Sequence, residues 1–160
     1  MTSGAVSEAD GQQPIGVMLS GDPDPEKTPV IVEYEVIGGS GRLGVDYELP
    51  DSPGMNKGWL AFNYQPTNGT RFFLLTNLSV SLLNNTETDG DRTVVFALRY
   101  PNLTDTNIIE STNEAGTAQK ETNYLIYPTD YNLGPKRFHV LTIHDHDYNV
   151  ISVAASRATT

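Results

Sequence analysis

The sequence predicts an all-β fold, a two-sheet Greek-key sandwich of the immunoglobulin-like kind. In several short segments the apolar residues recur at every second position, which is the period of a half-buried strand. Clusters of Gly, Pro, Asn and Asp separate these segments, and no stretch shows the 3.6-residue period of an amphipathic helix. The chain has 160 residues, which is enough for one domain with a sizeable core.

Residues 30–37 show the strand period most clearly. Val32 and Tyr34 point to one face of this segment, and Glu33 and Glu35 point to the other. The other predicted strands cover residues 15–19, 58–64, 71–83, 93–100, 107–110, 123–127, 136–143 and 148–153. We expect one core, built from Leu60, Phe62, Phe72, Leu74, Val80, Val94, Phe96, Leu98 and Ile143.

The domain organisation follows from these segments. Residues 1–13 are polar and are interpreted as an arm, residues 14–154 as the sandwich domain, and residues 155–160 as a polar tail. Residues 101–135 form an insertion that is too long for an ordinary connection, because most loops in compact domains have fewer than about 12–15 residues. We therefore expect the insertion to be functional.

Composition excludes several classes of function. The net charge of −10 opposes binding to nucleic acid or anionic lipid, both of which need clustered Lys and Arg. The absence of cysteine excludes disulfides and Cys-based zinc sites. We expect no membrane insertion, because no run approaches the 18 apolar residues of a span. The first residues do not resemble a signal peptide, which favours either a protein made without a classical export signal or a trimmed chain.

Five short motifs follow one another from residue 29 onward. They are V-x-V-x-Y at 30–34, G-V-D-Y at 44–47, G-W-L-A-F at 58–62, V-x-F-x-L at 94–98 and I-H-D-H-D at 143–147. This order resembles the Calx-β domain, the sandwich module of sodium–calcium exchangers, integrin β4 and bacterial surface and adhesion proteins. The resemblance implies a seven-stranded Greek-key sandwich that acts as a calcium-binding or adhesive module. The insertion departs from the family pattern, which has a short loop there.

The resemblance also implies a calcium site, where carboxylates from three loops meet at one end of the sandwich. Calcium takes 6–8 oxygen ligands, several of them charged. The residues at the matching positions are Asp46, Asn84, Asn85, Asp89, Asp145 and Asp147. Arg92 stands where binding members carry Glu, and a guanidinium repels a cation and pairs with carboxylates. Two alternatives follow: a metal-free site in which Arg92 pairs with Asp46 or Asp145, and a weak calcium site.

The last motif contains a second possible metal cluster. His144 and His146 alternate with Asp145 and Asp147, a set of ligands that would suit zinc or nickel. Exposed histidines in a loop at a strand end are the simpler interpretation. No enzyme signature is present, since the G-G-S-G at 38–41 lacks the spacing of a nucleophile elbow. We therefore expect no catalysis, and either no cofactor or weakly bound calcium.

Two functions remain for this chain. The first is a structural protein of a surface assembly on a particle or cell, such as a virion decoration, a fibre or neck component, or an adhesive module, with the virion surface favoured. It would contact protein partners in a homo- or hetero-oligomer through apolar residues of the insertion, namely Ile108, Ile109, Tyr124, Tyr127 and Tyr131. Alternatively, the insertion folds back as a hairpin on its own sheet. The second function is a calcium-binding regulatory or adhesion domain.

Overall fold

Ten strands form the framework of the part of the chain that the structure describes. The computed structural model describes residues 1–21, 29–63, 73–101, 106–112, 116, 118–124 and 131–147. The strands are β1 (Thr2–Ser7), β2 (Gln12–Ser20), β3 (Val30–Gly39), β4 (Tyr47–Glu48), β5 (Lys57–Phe62), β6 (Phe73–Leu82), β7 (Arg92–Arg99), β8 (Thr106–Thr112), β9 (Ala118–Tyr124) and β10 (Phe138–His144). A single 3-10 turn at Glu8–Asp10 separates β1 from β2. Within these ranges there is no helix of the length and apolarity that crossing a bilayer requires.

Two sheets form the predicted sandwich, which confirms the all-β fold class. One sheet has five strands in the order β1-β10-β7-β3-β5, and the other has three in the order β2-β6-β4. Strand β1 runs parallel to β10, and the remaining pairs in both sheets are antiparallel. The connections from β2 to β3 and from β5 to β6 cross between the two sheets, as in a Greek key.

The core lies between the inward faces of the two sheets. Its buried members are Ile15, Val30, Val32, Tyr34, Tyr47, Leu49, Leu60, Phe62, Leu74, Leu78, Val80, Leu82, Val94, Phe96, Leu141 and Ile143. The predicted core residues are confirmed where they are described, although Leu98 is only partly buried against the cluster. Phe72 and the predicted strand at 148–153 lie outside the described residues.

The N-terminal residues differ from the predicted polar arm. Residues 2–7 form the edge strand β1, which pairs with β10 from Thr2↔His139 to Ser7↔His144. Only Val6 of this strand packs against the core. A strand that is held mainly by backbone hydrogen bonds needs little apolar periodicity, and for this reason its sequence looked like an arm.

Strand β3 contains a bulge and ends in a glycine that no other residue could replace without strain. The register with β7 shifts between Val36 and Gly38. Gly39 has a φ of +113°, and a Cβ at this position would overlap the carbonyl oxygen of Thr93. This close approach brings the start of the 42–46 loop beside β7.

The insertion folds partly as a hairpin. Strands β8 and β9 pair from Thr106↔Tyr124 to Thr112↔Ala118 and form a separate two-stranded sheet, so the described hairpin does not extend the sheets of the sandwich. The backbone of Ile108, Ile109 and Tyr124 lies in this hairpin, and Tyr127 lies outside the described residues. A partner role for these four residues stays a prediction.

Tyr131, the fifth residue expected to contact a partner, is partly buried against the core, and its partner role stays a prediction. Its hydroxyl donates to the carbonyl oxygen of Ile31 at 2.9 Å, and its ring centroid lies 5.3 Å from that of Tyr100. Burial and the neighbouring Tyr100 raise the pKa of Tyr131 to about 12. The end of the insertion is therefore attached to the core, which explains the aromatic residue at this position.

Candidate functional site

Four segments meet at one end of the sandwich. They are the 3-10 turn after β1, the loop at 42–46, the loop at 83–91 and the residues 145–147 after β10. Backbone hydrogen bonds hold three of these segments together: Leu83 donates to the carbonyl of Asp46 at 3.1 Å, and Leu82, the last residue of β6, donates at 2.5 Å to that of Gly11, which follows the 3-10 turn. The predicted convergence of three loops is thus present, with the N-terminal turn as a fourth segment.

The first group of charged residues at this end is the arginine cluster: Arg42, Asp46, Asp89 and Arg92. Asp46 accepts hydrogen bonds from the backbone nitrogen of Arg42 at 2.6 Å and from its Nε at 3.1 Å. Asp89 accepts from Nη2 of Arg42 at 3.1 Å and from Nη2 of Arg92 at 2.8 Å. Two guanidinium groups thus share the carboxylates of two different loops, and the positive charge there is supplied by the protein itself.

Asp46 is the most deeply buried member of the arginine cluster, with 4% of the residue exposed. Burial by itself raises the pKa of this carboxyl, but the hydrogen bonds from the side chain and backbone of Arg42 outweigh it. The net effect is a pKa below the usual value of 3.8. The ionised form of Asp46 is therefore the one that the fold stabilises.

The pairing of Arg92 differs from the prediction. Among the described residues, Arg92 forms its salt bridge with Asp89, while Asp46 pairs with Arg42. Arg92 still lies close enough to Asp46 to help lower its pKa. The family comparison gave no reason to select Arg42, but the four-residue spacing to Asp46 within one tight loop was a usable signal.

Asp145 organises the loop after β10. Its carboxylate accepts from the backbone nitrogen of Gly90 at 2.9 Å and from that of Asp147 at 2.8 Å. These bonds hold the pKa of Asp145 below its usual value. The two histidines of the possible metal cluster contact different carboxylates. Nδ1 of His144 lies 2.8 Å from Oδ2 of Asp91, whereas His146 contacts Glu8, so the two imidazoles do not converge on one site.

The second group is the histidine cluster: Glu8, His146 and Asp147. Nδ1 of His146 lies 2.9 Å from Oε1 of Glu8, and its Nε2 lies 3.9 Å from Oδ1 of Asp147. A ligand atom from each of the three residues lies within 4.8 Å of the others. Sequence reasoning missed Glu8, because the residue stands in the segment interpreted as an arm.

A capping box places Glu8 at this end. The hydroxyl of Ser7 accepts from the backbone nitrogen of Ala9, and Oδ2 of Asp10 accepts from the backbone nitrogen of Ser7 at 2.8 Å. The resulting turn directs Glu8 inward, where only 5% of the residue is exposed. The S-x-x-D pattern at 7–10 was the available signal for this turn.

The two asparagines of the predicted calcium site lie in the loop at 83–91 and belong to neither cluster. Asn84 is exposed, and Oδ1 of Asn85 accepts from the backbone nitrogen of Glu87 at 2.7 Å. This is a local turn that an Asn side chain commonly makes. Of the predicted ligands, Asp46 and Asp89 lie in the arginine cluster, Asp147 lies in the histidine cluster, and Asp145 lies between them.

Carboxylates outnumber guanidiniums at this end of the sandwich. One carboxylate oxygen, Oδ2 of Asp147, is buried and has no hydrogen-bond partner among the described residues. A buried oxygen in this state is costly unless a donor or a cation approaches it. The arrangement can therefore hold a cation beside Asp147, while the arginine cluster is neutralised internally.

Comparison with known proteins gives structural neighbours only. No protein-family model and no curated protein matches the sequence. The apo-form Calx CBD1 domain is similar, with 18% identity, a TM-score of 0.56 and coverage of 91% of this chain and 92% of that one. The calcium-binding domain CBD12 of CALX1.1 has 18% identity and a TM-score of 0.55, and CBD12 from CALX1.2 has 16% and 0.53.

The two CBD12 structures are much longer than this chain. The alignment covers 91% of this chain but only 42% of each CBD12 structure, so the chain corresponds to a part of those molecules. At such low identity the likeness concerns the fold, and it agrees with the resemblance seen in the sequence motifs. The chain has a Calx-β-like sandwich fold.

Proposed function

We propose that this chain is a non-enzymatic binding module that works by protein–protein contact in a surface assembly, on a virion or a cell. The observation that carries the proposal is an apolar patch on the outer face of the three-stranded sheet. The patch consists of Met18, Phe73 and Leu75. The occupant we infer is a second copy of this chain.

The patch arises from the alternation of side chains along β6. Leu74, which points inward, is buried in the core, whereas Phe73 and Leu75 on either side of it point outward. Met18 lies directly opposite Leu75 in the register of β2 and β6. The exposed fractions are 60% for Met18, 51% for Phe73 and 66% for Leu75. A contiguous patch of this kind on an acidic surface is typical of a contact site.

Strand β2 offers the edge along which a second copy can pair. It ends its sheet among the described strands, and its nine residues carry no charge. Natural proteins usually protect such an edge with charged side chains or Pro, and the one such residue in β2 is Pro14, near its N-terminal end. Because the chain carries a net charge of −10, two copies repel each other least where the surface is uncharged. Antiparallel pairing of two β2 strands would bring both apolar patches onto one continuous sheet.

Replacing Met18 and Leu75 together by Lys should abolish self-association. The wild-type chain should sediment as a dimer or larger species, and more so in ~1 M salt, which shortens the range of charge repulsion to about 3 Å. The matched control is Met55→Lys, since Met55 is also an exposed apolar residue, with 50% of it exposed, but lies in the loop between β4 and β5. A wild-type chain that stays monomeric at high salt, or a double variant that still associates, would contradict the proposal.

A second candidate function, a calcium-binding regulatory or adhesion domain, is favoured by a separate observation. Oδ2 of Asp147 is buried at the loop end and has no hydrogen-bond partner in the part of the chain that the structure describes, and the backbone nitrogen of Asp147 donates to the carboxylate of Asp145. Oxygen atoms of this kind are what calcium prefers. The neighbours CBD12 and CBD1 are described as calcium-binding and apo-form domains, respectively, which supports the candidate by analogy.

Arg92→Glu should increase the response of the protein to calcium. The substitution removes a positive charge beside Asp89 and adds a carboxylate, and a site filled to 100 times Kd gains about 2.7 kcal/mol of stability. The melting temperature with and without millimolar calcium measures this gain. The control is Arg99→Glu, which changes charge equally at an arginine paired with Glu35. If neither the wild type nor Arg92→Glu responds to calcium, this candidate is excluded.

A further inference from the structure

The histidine cluster at the end of the sandwich has the composition of a transition-metal site. We propose that Glu8, His146 and Asp147 bind a divalent transition metal of the zinc class. The inference goes beyond the assembly role and does not depend on it. It shares Asp147 with the calcium candidate and differs from it in the class of cation and in the need for Glu8 and His146 as ligands.

The geometry brings three ligand atoms together from two separate segments. Glu8 comes from the 3-10 turn after β1, and His146 and Asp147 come from the residues after β10. Nδ1 of His146 is 2.9 Å from Oε1 of Glu8, and all three groups offer an atom within 4.8 Å of the others. Zinc binds both imidazole nitrogen and carboxylate oxygen, and catalytic zinc sites have three protein ligands with water in the fourth position. His146 and Asp147 are partly exposed, which leaves an open side for that water.

The two carboxylates of the cluster are the groups that a bound metal would stabilise. Glu8 is a carboxylate with 5% of the residue exposed, and its described partners are the ring and backbone nitrogens of one histidine. Oδ2 of Asp147 is buried and has no hydrogen-bond partner among the described residues. A buried carboxylate is expensive unless it is paired or coordinates a metal. A dication between the two carboxylates would compensate both.

The imidazole decides which class of cation fits. Calcium takes hard oxygen ligands, whereas imidazole nitrogen suits zinc, nickel and copper. A site that includes the imidazole of His146 therefore fits calcium less well than a borderline metal. Binding would also join the turn after β1 to the loop after β10, and so fasten the edge strand β1 at its C-terminal end.

The chain offers a matched control in its other loop histidine. His144 lies two residues before His146, has 52% of its side chain exposed and pairs with Asp91 instead of Glu8. Calorimetric titration of the metal-free chain with zinc chloride should show one bound ion per chain. His146→Ala should weaken zinc binding by at least about 100-fold, the upper end of the effect of losing even an outer-shell partner of a metal ligand. His144→Ala should bind zinc like the wild type.

Two further measurements distinguish zinc binding from loss of folding and from calcium binding. Cobalt added to the wild-type chain should give the intense visible absorption of a four-coordinate ion with a nitrogen ligand, and Glu8→Gln should weaken this band. Calcium affinity should be unchanged in His146→Ala if calcium binds at all. The proposal is overturned if the wild-type chain binds no zinc, or if His144→Ala loses zinc as strongly as His146→Ala does. A chain that binds no zinc can still self-associate, so that outcome does not test the assembly role. A monomeric chain that binds zinc would contradict the assembly role and support the metal site.

Discussion

Replacing Phe96 with Ala is expected to lower the free energy of unfolding by about 3–5 kcal/mol. Phe96 lies in the middle of β7, its side chain is 3% exposed, and it belongs to the core between the two sheets. Truncation removes a large apolar group and leaves a cavity that neighbouring side chains on paired strands cannot close. Urea unfolding at constant m-value measures the loss directly.

The matched control for this substitution is Phe73→Ala. Phe73 also lies in a strand, but half of its surface is exposed on the outer face of β6. Its truncation should cost about 1 kcal/mol, since only about half of the side chain is removed from water in the folded state. Equal losses for the two substitutions would mean that the inward face of β7 has been assigned incorrectly.

Replacing Asp46 with Ala should cost about 2–3 kcal/mol at neutral pH, because hydrogen bonds to charged groups contribute more than neutral ones. The substitution removes the acceptor for the backbone and side chain of Arg42. The control is Asp51→Ala, which removes an exposed carboxylate of the next loop. Asp51→Ala should change stability by less than about 0.5 kcal/mol.

The cost of Asp46→Ala should also depend on pH. The pKa of Asp46 is lower in the folded chain than its usual value of 3.8, so the ionised carboxylate stabilises the fold above that value. This contribution is lost as the pH falls through the folded pKa. The difference in unfolding free energy between wild type and Asp46→Ala should thus be constant near neutrality and shrink in acid below about pH 4. A difference that grows in acid would show that Asp46 is not stabilised as a carboxylate.

The strands could be predicted because their cause is local. One face of each strand contacts the core and the other contacts solvent, so the residues alternate, as Val32 and Tyr34 do with the residues between them. Glu33 is the exception, since it is buried and accepts a hydrogen bond from Nε1 of Trp59 at 3.3 Å on the neighbouring strand β5. Its burial depends on that neighbour, and no pattern within β3 predicts it.

The candidate site was predictable only in part. The motif order indicated that the loops holding Asp46, Asp89 and the residues 145–147 meet at one end, and they do. The motif order could not show which residues form salt bridges with each other at that end. Arg42 takes the place beside Asp46 that was expected for Arg92, because the loop at 42–46 folds back on itself.

Sequence alone determined the fold class, the core strands and the loops that carry the carboxylates. These features depend on side-chain period and on turn residues, both of which can be read along the chain. Only the tertiary structure decided that residues 2–7 form an edge strand, that Glu8 lies beneath His146 and that Tyr131 packs on Tyr100. Each of these contacts joins segments that are distant in the chain, and backbone pairing and polar contacts of this kind leave no periodic pattern in either segment.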